Sequence, residues 1–254
     1  MIWLSTLYFN EERVLRLRLA EELPAVDYFS VVEGETTFSG NPKESFLPLG
    51  LRQNILYDRM ALLGEDSWAR EAFQRNAFWH LYQDKLTDDD VVVVMDLDEV
   101  LCRESYPEIE RLAKEHGIVR ILQRSHYYKL NLVCDEAWGW WDLPFAATKQ
   151  YLAEHGGNLD AIRKQPTAEQ VRVKAGHHFG YLMTPEEMVV KLNSFAHTEY
   201  AQPPFNTVEY MERVVRERKS FFDENARRWY PEPLDETYPA TLRNNQAEWQ
   251  EWLA

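Results

Sequence analysis

Residues 91–100, Val-Val-Val-Val-Met-Asp-Leu-Asp-Glu-Val, constrain the fold more than any other stretch of the chain. Four β-branched residues and a methionine, with no charge among them, read as a strand buried on both faces, as in the interior of parallel sheets. Asp96 and Asp98 stand where that strand should end. Open α/β sheets bind ligands beyond the carboxyl ends of their strands, so the two acids are placed where chemistry is usually done. Carboxylates at this spacing can hold a hard divalent cation, which in turn grips phosphate oxygens. The plainer account is an acidic loop after a core strand.

The flanking sequence alternates strand and helix patterns. Ile2 to Tyr8 reads as a first strand, followed by a helix capped by Asn10 and stopped at Pro24. Asp27 to Val32 reads as a second strand, and a polar loop runs from Glu35 to Lys43. Helices are expected over Ser67–Gln83 and Ser105–His116, and strands over Val119–Leu122 and His126–Val133. Trp138 to Trp141 reads as an aromatic turn, with a short helix within Thr148–His155 and a strand at Val171–Val173. Further helices are expected at Pro185–Phe195 and Val208–Phe222. The pattern predicts an α/β fold, Rossmann-like, with a mostly parallel sheet flanked by helices. Residues 1–200 form its domain, and residues 201–254, richer in proline and aromatics, form a C-terminal extension packed on it.

Composition narrows the partners. A net charge of −14 on 254 residues argues against a long polyanion, so nucleic acid is not an expected partner. Cys102 and Cys134 have no metal-ligand spacing and read as ordinary thiols of a reducing compartment. Met1 to Phe9 is too short to span a bilayer and lacks a basic flank. A soluble, cytoplasmic protein with no integral membrane segment is expected.

Several blocks in order carry a resemblance. They are Phe9-Asn10-Glu11-Glu12, Val26-Asp27-Tyr28-Phe29, Val32-Glu33, Thr37-Phe38, Gly40 and Pro42-Lys43. Trp68, Glu71 and Gln74-Arg75-Asn76 precede Asp96-Leu97-Asp98-Glu99, and Gly176-His177-His178-Phe179, Lys191, Ser194-Phe195-Ala196-His197 and Glu199 follow. Together, over roughly residues 3 to 200, they resemble glycosyltransferase family 17, the bisecting β-1,4-N-acetylglucosaminyltransferase type. The resemblance implies a GT-A-type fold with an irregular acceptor-side region and a divalent metal, Mn²⁺ or Mg²⁺. It also implies UDP-N-acetylglucosamine as the sugar donor, inversion at the sugar carbon and a glycan acceptor. Two departures stand out: the family's Gly-Gly-Trp-His reads Ala175-Gly176-His177-His178 here, and the membrane anchor and stem of its animal members are missing. A bacterial-type enzyme acting on a cell-surface glycan precursor is expected.

On that reading Asp96 and Asp98 lie at the metal, or one of them binds the ribose, and the resemblance makes His197 a further metal ligand. His178 and Glu199 are candidates for the base that deprotonates the acceptor hydroxyl. His177 and His178, adjacent on a strand, point to opposite faces, so at most one enters the site. Asn10 and Glu33 are donor contacts, Glu33 accepting from base or ribose unless it merely caps a turn. Lys43 and Arg75 counter the diphosphate charge, although Arg75 can instead pair with Glu71 one turn earlier. Trp138, Trp140 and Trp141 either stack on acceptor sugars or belong to the core. Glu99 either orients the aspartates or sits at a helix start.

Two rival readings remain. Met95-Asp96-Leu97-Asp98 also mimics a haloacid-dehalogenase-like phosphatase, in which the first aspartate is the nucleophile. That fold needs a second acidic pair after a later strand, and none follows residue 135 in that setting. The other rival is a non-catalytic protein that binds a sugar nucleotide or glycan.

Overall fold

The computed structural model describes residues 1–44, 54–135, 139–222 and 227–254. Among them, 11 strands join one sheet. Apart from Ile55–Met60, a strand not expected from the sequence, its first half is built as the sequence predicts. Strand β1 (Ile2–Tyr8) leads into helix α1 (Glu12–Glu22), and β2 (Tyr28–Gly34) follows a short turn at Pro24. Next come β3 (Ile55–Met60), α2 (Ser67–Tyr82) and β4 (Val91–Val94). β1 pairs in parallel with both β2 and β4, and β2 with β3. The four valines of β4 are buried, as their unbroken apolar run requires. Because β1, β2 and β4 run the same way, their carboxyl ends open on one edge, and Tyr8, Gly34 and Asp96 are brought together there.

The second half is mostly antiparallel. After the two-residue β5 (Glu99–Val100) come α3 (Tyr106–His116), β6 (Ile118–Tyr127), β7 (Leu132–Cys134), β8 (Trp140–Trp141) and β9 (Phe145–Thr148). Helices α4 (Lys149–Glu154) and α5 (Leu159–Lys164) precede the long β10 (Val171–Gly180). β9 lies antiparallel between β4 and β6, while β10 runs parallel to β6 and antiparallel to β5. The expected α/β class stands, with its parallel character confined to the β3-β2-β1-β4 block and the β6–β10 pair. The break expected between residues 122 and 126 is absent: Gln123 is buried against Met95 and Arg124 pairs with Glu232, so polar side chains continue the strand. Trp140 and Trp141 form β8 rather than a turn, and Trp138 lies outside the described residues.

Helices α6 (Pro185–Leu192), α7 (Val208–Glu217) and α8 (Ala240–Asn244), with strand β11 (Trp229–Pro231) between the last two, complete the chain. β11 adds to β7 at the sheet edge, and Leu242 and Trp249 are buried with Val14, Leu17 and Phe179. No described helix is long and apolar enough to cross a membrane.

One irregularity positions the site. The register of β10 against β6 shifts between Lys174 and His177. Gly176 occupies that shift with φ +72°, and a Cβ there would lie 2.2 Å from the Val100 carbonyl oxygen. Only glycine combines this backbone conformation with so close an approach. The bulge sets His177 and His178 opposite β5, at Val100 and Glu99.

Candidate active site

Asp96 follows β4 in a tight turn closed by the Glu99 N–H donating to the Asp96 carbonyl, 3.2 Å. Glu99 folds back to accept from the Asp96 N–H, 2.6 Å, and its fully buried carboxylate takes both guanidinium nitrogens of Arg163 and the indole N–H of Trp141. Arg163 also donates to Asp96 Oδ2, 2.8 Å, and Arg75 donates to Asp96 Oδ1, 2.9 Å. Burial works against ionisation of Asp96, but Arg163 and Arg75 outweigh it and hold the carboxyl well below the usual carboxylate range. Arg75 is no surface residue. It is 3% exposed, and besides Asp96 it pairs with Glu71, 2.9 Å, and with Asp160 of α5. The i,i+4 pair with Glu71 therefore coexists with a grip on the first aspartate.

Asp98 is held more loosely. Its Oδ1 lies 3.7 Å from His178 Nε2, and its Oδ2 lies 3.4 Å from the Lys191 ammonium, which reaches Glu11 Oε1 at 3.1 Å. Burial disfavours the charged form of Lys191, yet Asp98 and Glu11 raise its pKa above the ordinary lysine value. His178 stacks on Trp141 with ring centroids 4.4 Å apart. His177 points the other way, as strand alternation requires, bonding to His126 and to the Thr237 carbonyl at 2.9 Å each.

Asp96, Asp98, Arg75, Glu71, Glu11 and Lys191 line a cavity of about 170 Å³, whereas Glu99, Arg163, Trp141, His177 and His178 are not part of its lining. Tyr8, Phe9 and Glu11 form one wall, Thr36 to Phe38 and Lys43 another, and Asp96 to Asp98 the floor; Arg75, Lys191 and Phe195 close it. Lys43 pairs with Glu33 and lies over the Tyr8 and Phe9 rings, 5.4 and 5.6 Å from their centroids. Burial lowers its pKa, with Glu33 opposing.

Other predicted site residues stand elsewhere. Glu33 is fully buried behind Lys43, accepts from the Tyr57 hydroxyl at 2.6 Å, and is not part of the cavity lining. It reaches the cavity only through its ion pair with Lys43, which lines it. Asn10 is exposed and does not cap α1; Glu11 takes the N-cap position without a side-chain cap bond. Asn10 lines a neighbouring cavity of about 350 Å³ instead. His197 and Glu199 bond to each other at 2.7 Å, His197 sits edge-on to Trp68, and neither lines the aspartate cavity. α6 ends at Leu192, Phe195 turns inward, and the Ser67 hydroxyl bonded to the Ala196 carbonyl carries the next residues outward. The metal cluster of Asp96, Asp98 and His197 is thus not assembled. Among the described residues no three His, Cys, Asp or Glu side chains are grouped to hold a metal ion.

Arg163, Asp160 and Trp141 hold the floor, and only Trp141 carried a sequence signal, as part of an aromatic run. α5 is six residues long, too short to show a helical period. Lys191 belongs to a block that carried the resemblance, but it had no assigned role.

The fold defines an α/β protein with a cavity at the carboxyl ends of parallel strands, floored by two aspartates and walled by Lys43, Arg75 and Lys191. The chain belongs to glycosyltransferase family 17, whose model matches residues 2–224. It is a glycosyltransferase, and its activity requires a sugar donor and an acceptor. No curated protein matches it by sequence. Among solved structures it is similar to 4-diphosphocytidyl-2C-methyl-D-erythritol synthase, with 15% identity, a TM-score of 0.42, and coverage of 74% of this chain and 95% of that one. It is also similar to mannose-6-phosphate isomerase from Helicobacter pylori, at 13% identity and TM-score 0.39, covering 68% of this chain and 85% of that one. TarS 1-349 of S. aureus matches at 10% identity and TM-score 0.39, covering 87% of this chain and 76% of that one.

Proposed function

We propose that the protein transfers N-acetylglucosamine from UDP-N-acetylglucosamine to a glycan hydroxyl, with inversion and with a divalent cation, Mn²⁺ or Mg²⁺, at Asp98. The observation that carries this is the contrast between the two aspartates. Asp96 has both oxygens engaged by arginines at 2.8 and 2.9 Å, whereas the contacts of Asp98 are at 3.4 and 3.7 Å. Asp98 therefore retains the capacity to ligate an ion directly. One or two carboxylates completed by substrate phosphates suit the way these cations are bound at phosphate sites, so the residues present fit the ion. When bound, it would neutralise charge developing on the departing diphosphate.

The chain's own residues supply the rest. Lys43, fixed by Glu33, offers a positive charge to the diphosphate. Tyr8, Phe9 and Phe38 give the cavity apolar walls against which a nucleobase can pack. Asp96, immobilised yet with a side chain 32% exposed, accepts from a ribose hydroxyl or an ion-bound water. His178 serves as the base: its Nε2 lies 3.7 Å from Asp98 Oδ1 on the cavity floor, while the ring itself is not part of the lining. Glu199, with a side chain 58% exposed and paired with His197 rather than with either aspartate, is set aside for that role. The choice of UDP-N-acetylglucosamine follows the family resemblance. A phosphatase would need Asp96 as a free nucleophile, and two guanidinium groups occupy its oxygens.

Calorimetric titration of UDP and UDP-N-acetylglucosamine, with Mn²⁺ and with chelator, tests the proposal. Binding should require Mn²⁺ and fall at least about a hundredfold in Asp98→Asn, the loss of a direct ligand. Absence of nucleotide binding under both conditions would refute it.

A further inference from the structure

We propose that Lys191 is a donor-contacting residue that changes partners: it neutralises Asp98 and Glu11 until a divalent cation takes Asp98, and then binds the donor diphosphate. The inference rests on the reading above that this cavity takes a nucleotide sugar with a cation.

The two cavity lysines are held differently. Lys43 is paired with Glu33, which is buried away from the cavity, so its partner is not exposed to competition from a ligand. The partners of Lys191, Glu11 and Asp98, themselves line the cavity. A cation ligated by Asp98 Oδ2 would stand beside the ammonium 3.4 Å from that oxygen. Like charges at such separation repel strongly in a poorly hydrated site. The ammonium must then withdraw or gain a new anion. Its base cannot move far. α6 begins with a Thr184–Glu187 capping box and buries Met188 and Leu192. The four-carbon lysine stem can swing its three donors within the same cavity, where the diphosphate is the incoming anion.

Two measurable consequences follow. An ion alone competes with a resident ammonium for Asp98 and binds weakly. A diphosphate gives that ammonium a new partner, so ion and diphosphate assist each other's binding, and the coupling is reciprocal.

The experiment is calorimetry of Mn²⁺ alone, and of inorganic diphosphate and UDP-N-acetylglucosamine at saturating Mn²⁺, on the full chain. Wild type, Lys191→Met and Lys191→Arg are compared, with thermal melts in parallel. Lys191→Met should bind Mn²⁺ alone at least about tenfold more tightly, because two carboxylates lose their internal cation. It should bind inorganic diphosphate about tenfold to a hundredfold more weakly, the loss of one charged hydrogen bond. Lys191→Arg should keep the wild-type order of both affinities. A melting temperature lowered without Mn²⁺ and restored by it would add support. A merely structural lysine would not move the two affinities in opposite directions. Unchanged or weaker Mn²⁺ binding in Lys191→Met, unchanged diphosphate affinity, or no Mn²⁺ binding by any variant overturns the proposal. If wild type binds Mn²⁺ and diphosphate but no UDP-sugar, the donor reading fails, and the Mn²⁺ and diphosphate titrations still judge Lys191. Should Lys191→Met not fold, Lys191→Met/Glu11→Gln removes the surplus carboxylate and carries the same diphosphate expectation.

Discussion

Replacing Arg163 with methionine is the sharpest test of how the aspartate floor is held. Arg163 is 2% exposed and contacts two carboxylates, Asp96 and the fully buried Glu99. Methionine fills much of the volume but leaves Glu99 buried with only the Trp141 indole and the Asp96 N–H as donors. Breaking a buried pair by removing one partner costs about 3–5 kcal/mol, because the remaining charge is uncompensated. For a chain of this size that lowers the melting temperature by roughly 6–20 °C. Urea unfolding at pH 7 measures the loss directly. The reasoning further requires that Arg163→Met/Glu99→Gln recover at least about half of it, since the second change removes the stranded charge while preserving the Trp141 bond. A single-variant loss below about 1 kcal/mol, or a double variant no better than the single, would show that the pair is not what holds the turn.

Two further predictions concern β10. The Thr237 carbonyl can only accept, so His177 Nε2 carries a proton and His177 Nδ1 accepts from His126 Nε2, leaving both rings neutral. Burial depresses both pKa values, that of His177 to about 4 and that of His126 well below the ordinary histidine value. The unfolded chain binds these protons first, so stability falls as pH drops from about 6.5 towards 4. The pair should cost about 2 kcal/mol between pH 6 and 5, and His126→Gln/His177→Gln should flatten that part of the unfolding profile; an unchanged slope would rule out the neutral pair. Gly176→Ala should destabilise by at least about 2 kcal/mol, from strain at positive φ and the clash with Val100, and should reduce turnover by displacing His178. Wild-type stability in urea would show that β10 tolerates a Cβ there.

Much of the scaffold was legible because it rests on short-range pattern. The valines of β4 and the largely apolar β1 reveal themselves as apolar runs and the amphipathic α3 through its period, and the parallel arrangement of β1, β2 and β4 places Asp96 and Asp98 at the expected edge. β9 and α5 were not legible: four residues of Phe-Ala-Ala-Thr and a six-residue helix are too short to carry a period. The opposite orientations of His177 and His178 follow from strand alternation, but which of them meets Asp98 depends on the bulge at Gly176.

The amino-acid sequence by itself determined the α/β class, the place of the two aspartates and the family. Tertiary structure alone decided how each aspartate is held. Arg163 reaches Asp96 across 67 positions and Lys191 reaches Asp98 across 93. Tertiary structure also turned His197 and Glu199 away from the cavity, although they lie within a block that carried the resemblance. Strand burial leaves a local apolar run in the sequence, and helix burial a local period. A buried ion pair between distant segments leaves neither, because its energy depends only on where the packed elements bring the charges.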